Sequence, residues 1–544
     1  MSRIREIIGS RFAGIFCFLF AIANRIVFAS LYSLIGVDTK LQLVYAENLL
    51  AGRGMGVTKY FTADLNTPVF DTQQIFPPGF SLTIIPFLAL FGGDDYTAVL
   101  AYDIVVAILF IVAVRILGRK AGLAPELNNI ITLIAGCSQY FFFMSWSSTD
   151  AIGVCLLLFS LVAVIDIINK KEHLGWVKVA GAAILFCLPF FFRFMYLPVA
   201  FLLPLYTLAS GIILKNKKLK SDGFRILFAC TLFLTLYFSI SSLTSGNALY
   251  ITDVGRGFFI DQFTEWYPFL PASFINIDFG AQLIESISGL GYSDTMFILE
   301  ISNALIFAVL IFLLGRYFYK ERRATQFSNH SHFIAAGSSL ALVILLLLAW
   351  LTLTYKEQSW GYYKWTHVQD PRYFAFIYVF VPLVLFVCLQ HYRHSLKKPM
   401  VRFFVFIAFC CLTIEVLHGI YYNGKILLSH KDLDYIRDAD KGFRSFPKLI
   451  AALKNEHPDK ELIVSSPDRF YLLTASQMGY KAIFDYTNFL DSDLRVSAKT
   501  ILIMPIQTRD IVIISDYIEK RKPALFATIG ATSFYVQEIT PQVK

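Results

Sequence analysis

Asp38 stands just past the first apolar run of the chain, and a Gly- and Pro-marked segment follows it. The segment reads Asp38-Thr-Lys-Leu-Gln-Leu-Val-Tyr-Ala-Glu-Asn-Leu-Leu-Ala-Gly-Arg-Gly and runs on to Phe76-Pro-Pro-Gly79. A carboxylate held where a membrane span meets water can take a proton from a substrate at that surface. The same residue can also serve only as a helix cap. Leu41, Val44, Tyr45 and Leu49 share one helical face, so the segment is expected to form a helix lying along the membrane. Asp38 would then sit in a partly desolvated cleft, where carboxylate pKa values rise.

Other residues have the right chemistry for the same surface. Asp150 follows Ser145-Trp-Ser-Ser-Thr149 in a very short connection between two spans. It is either a second functional acid or, with Thr149, an N-cap. Arg193, in Phe-Phe-Arg-Phe-Met-Tyr, and Arg372, in Asp-Pro-Arg-Tyr-Phe, lie at span ends. Guanidinium groups there suit a phosphate, or snorkel to lipid head groups. Lys356, Lys364 and His367 share a cationic loop with Arg372. Arg25 falls inside the first span, where a buried hydrogen-bonding role is expected ahead of catalysis. Gly52-Arg-Gly-Met-Gly56 lacks the Lys-Ser/Thr and the βαβ setting of a phosphate loop and reads as a turn. Pro77 and Pro78 read as a helix entry.

The elements that must position these residues are mostly membrane helices. The apolar fraction is 56% and charged residues are 16%, below the quarter or so of a soluble domain. Apolar runs long enough to cross a bilayer are placed near 12–35, 96–117, 129–146, 150–168, 176–194, 196–214, 225–243, 299–318, 333–354, 372–390 and 403–421. The fold class expected is an all-α polytopic membrane protein of about eleven spans. Arg3, Arg5 and Arg11 precede a first span that is read as uncleaved. With the N-terminus inside, 22 Lys and Arg residues fall in inward segments, among them Lys170, Lys171, Lys178, Lys215, Lys217, Lys218, Lys220 and Arg225, against 8 in the outward loops between spans. That bias follows the positive-inside rule, and it accounts for the net charge of +9 without nucleic acid as a partner.

Long outward loops are expected at 36–95 and 244–298. Residues 1–421 form the expected transmembrane module, and 422–544 a small extracytoplasmic α/β domain. In that tail Phe446–Asn455 has helical spacing, while Glu461–Ser465, Asp510–Ser515 and Thr532–Glu538 read as strands. All eight cysteines lie in apolar spans without Cys-x-x-Cys spacing, so no disulfide framework or cysteine metal site is expected. No internal repeat at 20–50 residues appears.

Taken together, these features resemble the GT-C superfamily of integral-membrane glycosyltransferases, in particular the branch with protein O-mannosyltransferases and the lipid A aminoarabinose transferase. The resemblance rests on Asp38 after the first span, Tyr45-Ala-x-Asn-Leu-Leu-Ala-Gly-x-Gly, Phe76-Pro-Pro-Gly79, a helix ending Leu90-Phe-Gly92, Ser148-Thr-Asp150, Arg372-Tyr373 and an outward tail. It implies an inverting enzyme that uses a polyprenyl-phosphate-linked sugar as donor and a glycan, lipid or protein as acceptor. Asp38 would be the base and Asp150 the second acid. Arg372, Arg193, Lys356 and Lys364 would meet the donor phosphate, with Tyr45, Pro77 and Pro78 in the loop that handles donor and acceptor. The O-mannosyltransferase branch carries Asp-Glu in its first loop; here Thr39 follows Asp38, which argues against protein O-mannosylation. A divalent metal is left open, since no acidic-plus-His pair stands out. The implied location is a bacterial cytoplasmic membrane, with site and C-terminus outside. Two alternatives are a transporter or flippase for lipid-linked glycans, and a ligase that moves whole glycans from a lipid carrier.

Overall fold

A computed structural model of the chain describes residues 2–31, 35–61, 64–72, 76–138, 148–245, scattered positions between 284 and 315, 329–354, 358–360, 363–365, 374–391, 399–429, 434–484, 496–508, 511 and 515–540. Its elements fall into two compact units. One joins Met1–Ser33 to Leu100–Gly424, the other joins Leu34–Val99 to Lys425–Lys544.

The first unit is helical because its sequence is a series of apolar runs. Among the described residues, six helices are long and apolar enough to cross a membrane: Arg11–Ser30, Asp95–Lys120, Thr149–Asn169, Phe194–Ile213, Lys217–Leu243 and His330–Trp350. Gly79–Leu90, Trp176–Phe192 and Ala375–Gln390 are shorter apolar helices. With backbone groups unable to find water in lipid, helices are the economical way for such runs to cross. The chain is an integral membrane protein. The span expected at 129–146 begins within the helix Pro125–Cys137, and residues 139–147 lie outside the described set. Most of the span expected at 299–318 lies outside it too.

Close helix approaches rest on small residues. A Cβ on Gly136 would come within 2.3 Å of the Ala21 Cβ, so Arg11–Leu31 and Pro125–Cys137 touch almost backbone to backbone. That approach brings Arg25 to the carbonyls at the end of the second helix, which have no partner within it. Arg25 Nε donates to Ala135 O at 3.0 Å and Nη2 to Ser138 O at 2.6 Å. Asn24 Nδ2 donates to Gly136 O at 3.0 Å. The intramembrane arginine is therefore a C-cap supplied by a neighbouring helix. Cys17, Cys137, Cys155, Cys187, Cys230, Cys388 and Cys410 form no disulfide.

The second unit is α/β. Its seven-stranded sheet has the order β2-β1-β6-β5-β7-β9-β8. The strands are β1 (Val57–Phe61), β2 (Asp64–Asp71), β5 (Glu461–Ser465), β6 (Lys481–Ile483), β7 (Thr500–Gln507), β8 (Ala524–Ile529) and β9 (Thr532–Ile539). A separate hairpin pairs β3 (Gln358–Trp360) with β4 (Tyr363–Trp365). β5 runs parallel to β6 and β7, whereas β9 is antiparallel to β7 and β8. On one face, Phe446, Leu449, Ile450 and Leu453 of the helix Asp434–Glu456 pack on Val464, Ile501, Ile503 and Phe534. On the other, Leu65 joins Ile463, Leu502, Met504 and Ile506.

The helix and two of the strands expected in the tail are present. Most of Asp510–Ser515, expected as a strand, lies outside the described residues, and Ser515 opens the helix Ser515–Arg521. The fully buried strand is β7, eight residues earlier in the chain than that helix. The first loop also enters this sheet, through the parallel pairing of Tyr60 in β1 with Ile483 in β6.

Candidate functional site

Asp38 lies in the first turn of the helix Val37–Leu50, after the extended N-cap residue Gly36, and is half-buried. A carboxylate there is favoured by the exposed N–H groups of the helix start. The helix is not an interfacial one with a single dry face. Its residues Thr39 to Ala46 and Asn48 are all buried. Leu41, Val44 and Tyr45 pack with Val57 of β1 and with Leu473 of the helix Arg469–Gln477. The sequence pattern marked one apolar face; the other faces are covered because strand and tail helix close over them. Tyr45 is therefore a core residue of this unit.

Two further contacts hold the helix. Asn48 Nδ2 donates to Gly56 O at 2.6 Å, across a turn in which Gly52 and Gly54 have φ of 71° and 89°. Those left-handed conformations, and the 2.6 Å that would separate a Cβ on Gly56 from Asp71 O, explain the glycine-rich sequence as a turn. Ser81 Oγ donates to Gln42 O at 2.9 Å, tying in the helix Gly79–Leu90. Pro77 and Pro78 are buried at its entry, with Pro78 as the N-cap.

The same helix carries a charged cluster with little trace in the local sequence pattern. Lys40 Nζ forms an ion pair with Asp95, donates to Gln477 Oε1 at 3.0 Å, and lies 5.6 Å from the centroid of the Phe470 ring. Glu47, two turns on, hydrogen-bonds Asp95. Burial, then the Asp95 charge and the hydrogen bond to it, push the Glu47 carboxyl up to about 9, with Lys40 and Arg53 pulling the other way. The Glu47 carboxyl thus keeps its proton beside the Lys40–Asp95 ion pair. The one signal available was an i, i+7 pair of charges within an otherwise buried helix.

In the helical unit, Asp150 and Arg193 are partners. Asp150 is in the first turn of Ser148–Asn169, and Arg193 ends Trp176–Phe192 in extended conformation before the 3-10 turn Phe194–Tyr196. Arg193 Nε meets Asp150 Oδ1 and Nη2 meets Oδ2, both at 2.5 Å. Both residues are buried, so Arg193 does not snorkel. Tyr196 covers the pair's helix at Gly153, where a Cβ would stand 2.8 Å from its ring. A bidentate fork of this kind fixes the guanidinium plane.

Asp38, Tyr45, Pro77 and Pro78 belong to one unit, and Asp150 and Arg193 to the other. Lys356, His367 and Arg372 lie outside the described residues. Lys364 is in β4, opposite Ser359 of β3. Among the described residues, no three His, Cys, Asp or Glu side chains converge as metal ligands. The Glu47–Asp95 pair does not fit a cation, because Lys40 already occupies its third side.

No protein-family model and no curated protein matches the sequence. Solved structures do. The chain is similar to ArnT from Cupriavidus metallidurans bound to undecaprenyl phosphate, at 11% identity and a TM-score of 0.51, over 97% of this chain and 98% of that one. It is also similar to the archaeal oligosaccharyltransferase AglB from Archaeoglobus fulgidus in complex with an inhibitory peptide and a dolichol-phosphate. That match has 11% identity and a TM-score of 0.51, over 96% of this chain and 74% of that one. The chain has the GT-C fold.

Proposed function

We propose that the protein is a glycosyltransferase that moves a sugar from a polyprenyl-phosphate-linked donor to an acceptor hydroxyl at the outer membrane surface. The observation that carries this reading is the likeness, over nearly the whole of both chains, to a structure that binds undecaprenyl phosphate. Asp38 supports it, as a half-buried carboxylate on a helix braced by two elements. In this reading Asp38 takes the proton of the acceptor hydroxyl. The freed oxygen attacks the anomeric carbon and forms the new glycosidic bond. The bond from that carbon to the phosphate oxygen breaks, the configuration inverts, and polyprenyl phosphate leaves. Arg372, Lys356 and Lys364 meet the developing phosphate charge, and Asp150 orients Arg193 for the same task.

The test is transfer of labelled sugar from a polyprenyl-phosphate donor by the purified protein and its Asp38→Asn variant. The variant keeps the side chain's size and removes the base, so transfer falls on the order of 100- to 10,000-fold while donor binding persists. Near-normal transfer by a folded Asp38→Asn protein removes Asp38 as the base.

A second reading is favoured by the likeness to an oligosaccharyltransferase: the transferred unit is a whole glycan. Donors carrying one sugar or a chain of sugars, offered to the same preparation, separate the two.

A further inference from the structure

We infer that the turn between Ser148–Asn169 and Trp176–Phe192, with the adjoining start of Lys217–Ser245, binds the headgroup of an anionic phospholipid. This inference needs only the membrane setting and is independent of the glycosyl-transfer reading.

The turn is built around Asp222, which is fully buried. Its carboxylate accepts from the Leu174 N–H at 3.2 and 3.3 Å, and faces His173 Nδ1 at 3.4 Å, Arg225 Nη1 at 3.4 Å and Lys218 Nζ at 3.8 Å. Lys218 Nζ also donates to Lys170 O at 2.5 Å. Arg225 donates to Leu174 O at 2.8 Å, and its guanidinium lies 4.2 Å from the centroid of the Trp176 ring. Lys218 and Arg225 are thereby committed to holding the backbone of the turn. Lys170, Lys171 and Lys178 are left around it, with Glu172 as an acidic neighbour of Lys170.

Two of these lysines converge. The side chains of Lys170 and Lys178 approach each other on the turn that Asp222 holds. Like charges brought together on a fixed turn are relieved by an anion between them. The surroundings say which anion. Trp176 is 66% exposed and Val177 87%; Phe224 and Phe228, on the helix of the Arg225 that lies over Trp176, are exposed too, as are Ile212 and Ile213 at the end of Val199–Ile213. Aromatic and aliphatic side chains next to a ring of lysines match the depth at which acyl chains give way to phosphates. A free anion would have no use for that apolar flank.

The experiment uses the full-length protein, delipidated in neutral detergent and titrated with phosphatidylglycerol or phosphatidylcholine under native mass spectrometry. Phosphatidylglycerol is expected to bind at least about tenfold more tightly. Lys170→Ala/Lys178→Ala lowers its affinity by roughly 25-fold, about fivefold per lysine, while Lys170→Arg/Lys178→Arg retains it. Lys171→Glu, a change on the exposed turn, weakens it in the same direction. Equal binding of the two lipids overturns the inference. So does unchanged affinity in both the double alanine and the Lys171→Glu variants. Displacement of the lipid by an equal concentration of glycerol phosphate overturns it too, by showing a free-anion site.

Discussion

Lys40 and Asp95, 55 residues apart in the sequence, form an ion pair that joins the helix bearing Asp38 to the start of Asp95–Lys120. Lys40 sits two residues after Asp38, so whatever fixes the lysine also fixes the carboxylate's helix. Its charge answers that of Asp95, its ammonium also donates to Gln477, and Glu47 stays neutral next to the pair. A buried pair of this kind adds little stability by itself and is strongly destabilising when one partner is lost.

Glu47 gives a pH signature. Its carboxyl titrates at about 4.5 in the unfolded chain and is raised to about 9 in the folded one. Between those values the folded state holds a proton that the unfolded state has released. The stability this group contributes is complete below about 4.5 and is lost as pH rises through about 9. The thermal midpoint of the purified protein is expected to fall across that window, and Glu47→Gln to flatten the fall. An unchanged slope in the variant would assign the titration elsewhere.

The Asp150–Arg193 pair is expected to show strong coupling. Arg193→Leu leaves a buried carboxylate without its fork and costs roughly 3–5 kcal/mol. Asp150→Asn in that background recovers much of the loss, because the charge left alone is gone. Unfolding of the two single variants and the double variant, measured against the parent, gives the coupling directly. Additive losses would mean that the two side chains act independently.

Arg372→Ala is expected to weaken donor binding or turnover and to leave the thermal midpoint nearly unchanged. Arg372→Lys restores only part of the activity, since an ammonium lacks the two-pronged geometry that suits phosphate. Full activity in the alanine variant, or general collapse, counts against a phosphate role.

The side of the membrane on which the tail lies can be read by labelling. With 22 basic residues in the segments expected inside and 8 in the outward loops between spans, Asn455 is expected to face outward. Asn455→Cys in intact cells, or in spheroplasts where an outer membrane intervenes, should react with an impermeant thiol reagent. Reaction only after lysis reverses the orientation.

Hydropathy was enough to find the six long apolar helices of the described residues, since spans are long and each is read locally. Asp38, Asp150 and Arg193 were singled out because charge beside apolar runs is rare. That Asp150 and Arg193 meet was not legible, because they are 43 residues apart on different helices. The entry of β1 into the tail's sheet was hidden for the same reason. β7 was missed on different grounds. Its sequence Thr-Ile-Leu-Ile-Met-Pro-Ile-Gln contains Pro505, a residue that normally argues against a central strand. Here the Pro505 carbonyl accepts from Ser466 Oγ at 2.6 Å, and the missing N–H is tolerated opposite Phe534.

The pairing of Tyr60 with Ile483 also sets an order of events during synthesis. A ribosome adding about 5–20 residues per second needs on the order of tens of seconds between making one strand and making the other. Throughout that interval β1 and β2 form a hairpin whose β6 edge has no partner, a template for pairing with any extended segment nearby. Maturation of the loop that carries Asp38 therefore waits on strand β6, more than 400 residues further along the chain. Stalled translation or truncation ahead of residue 481 would leave a chain with its apolar helices made and that sheet edge still open.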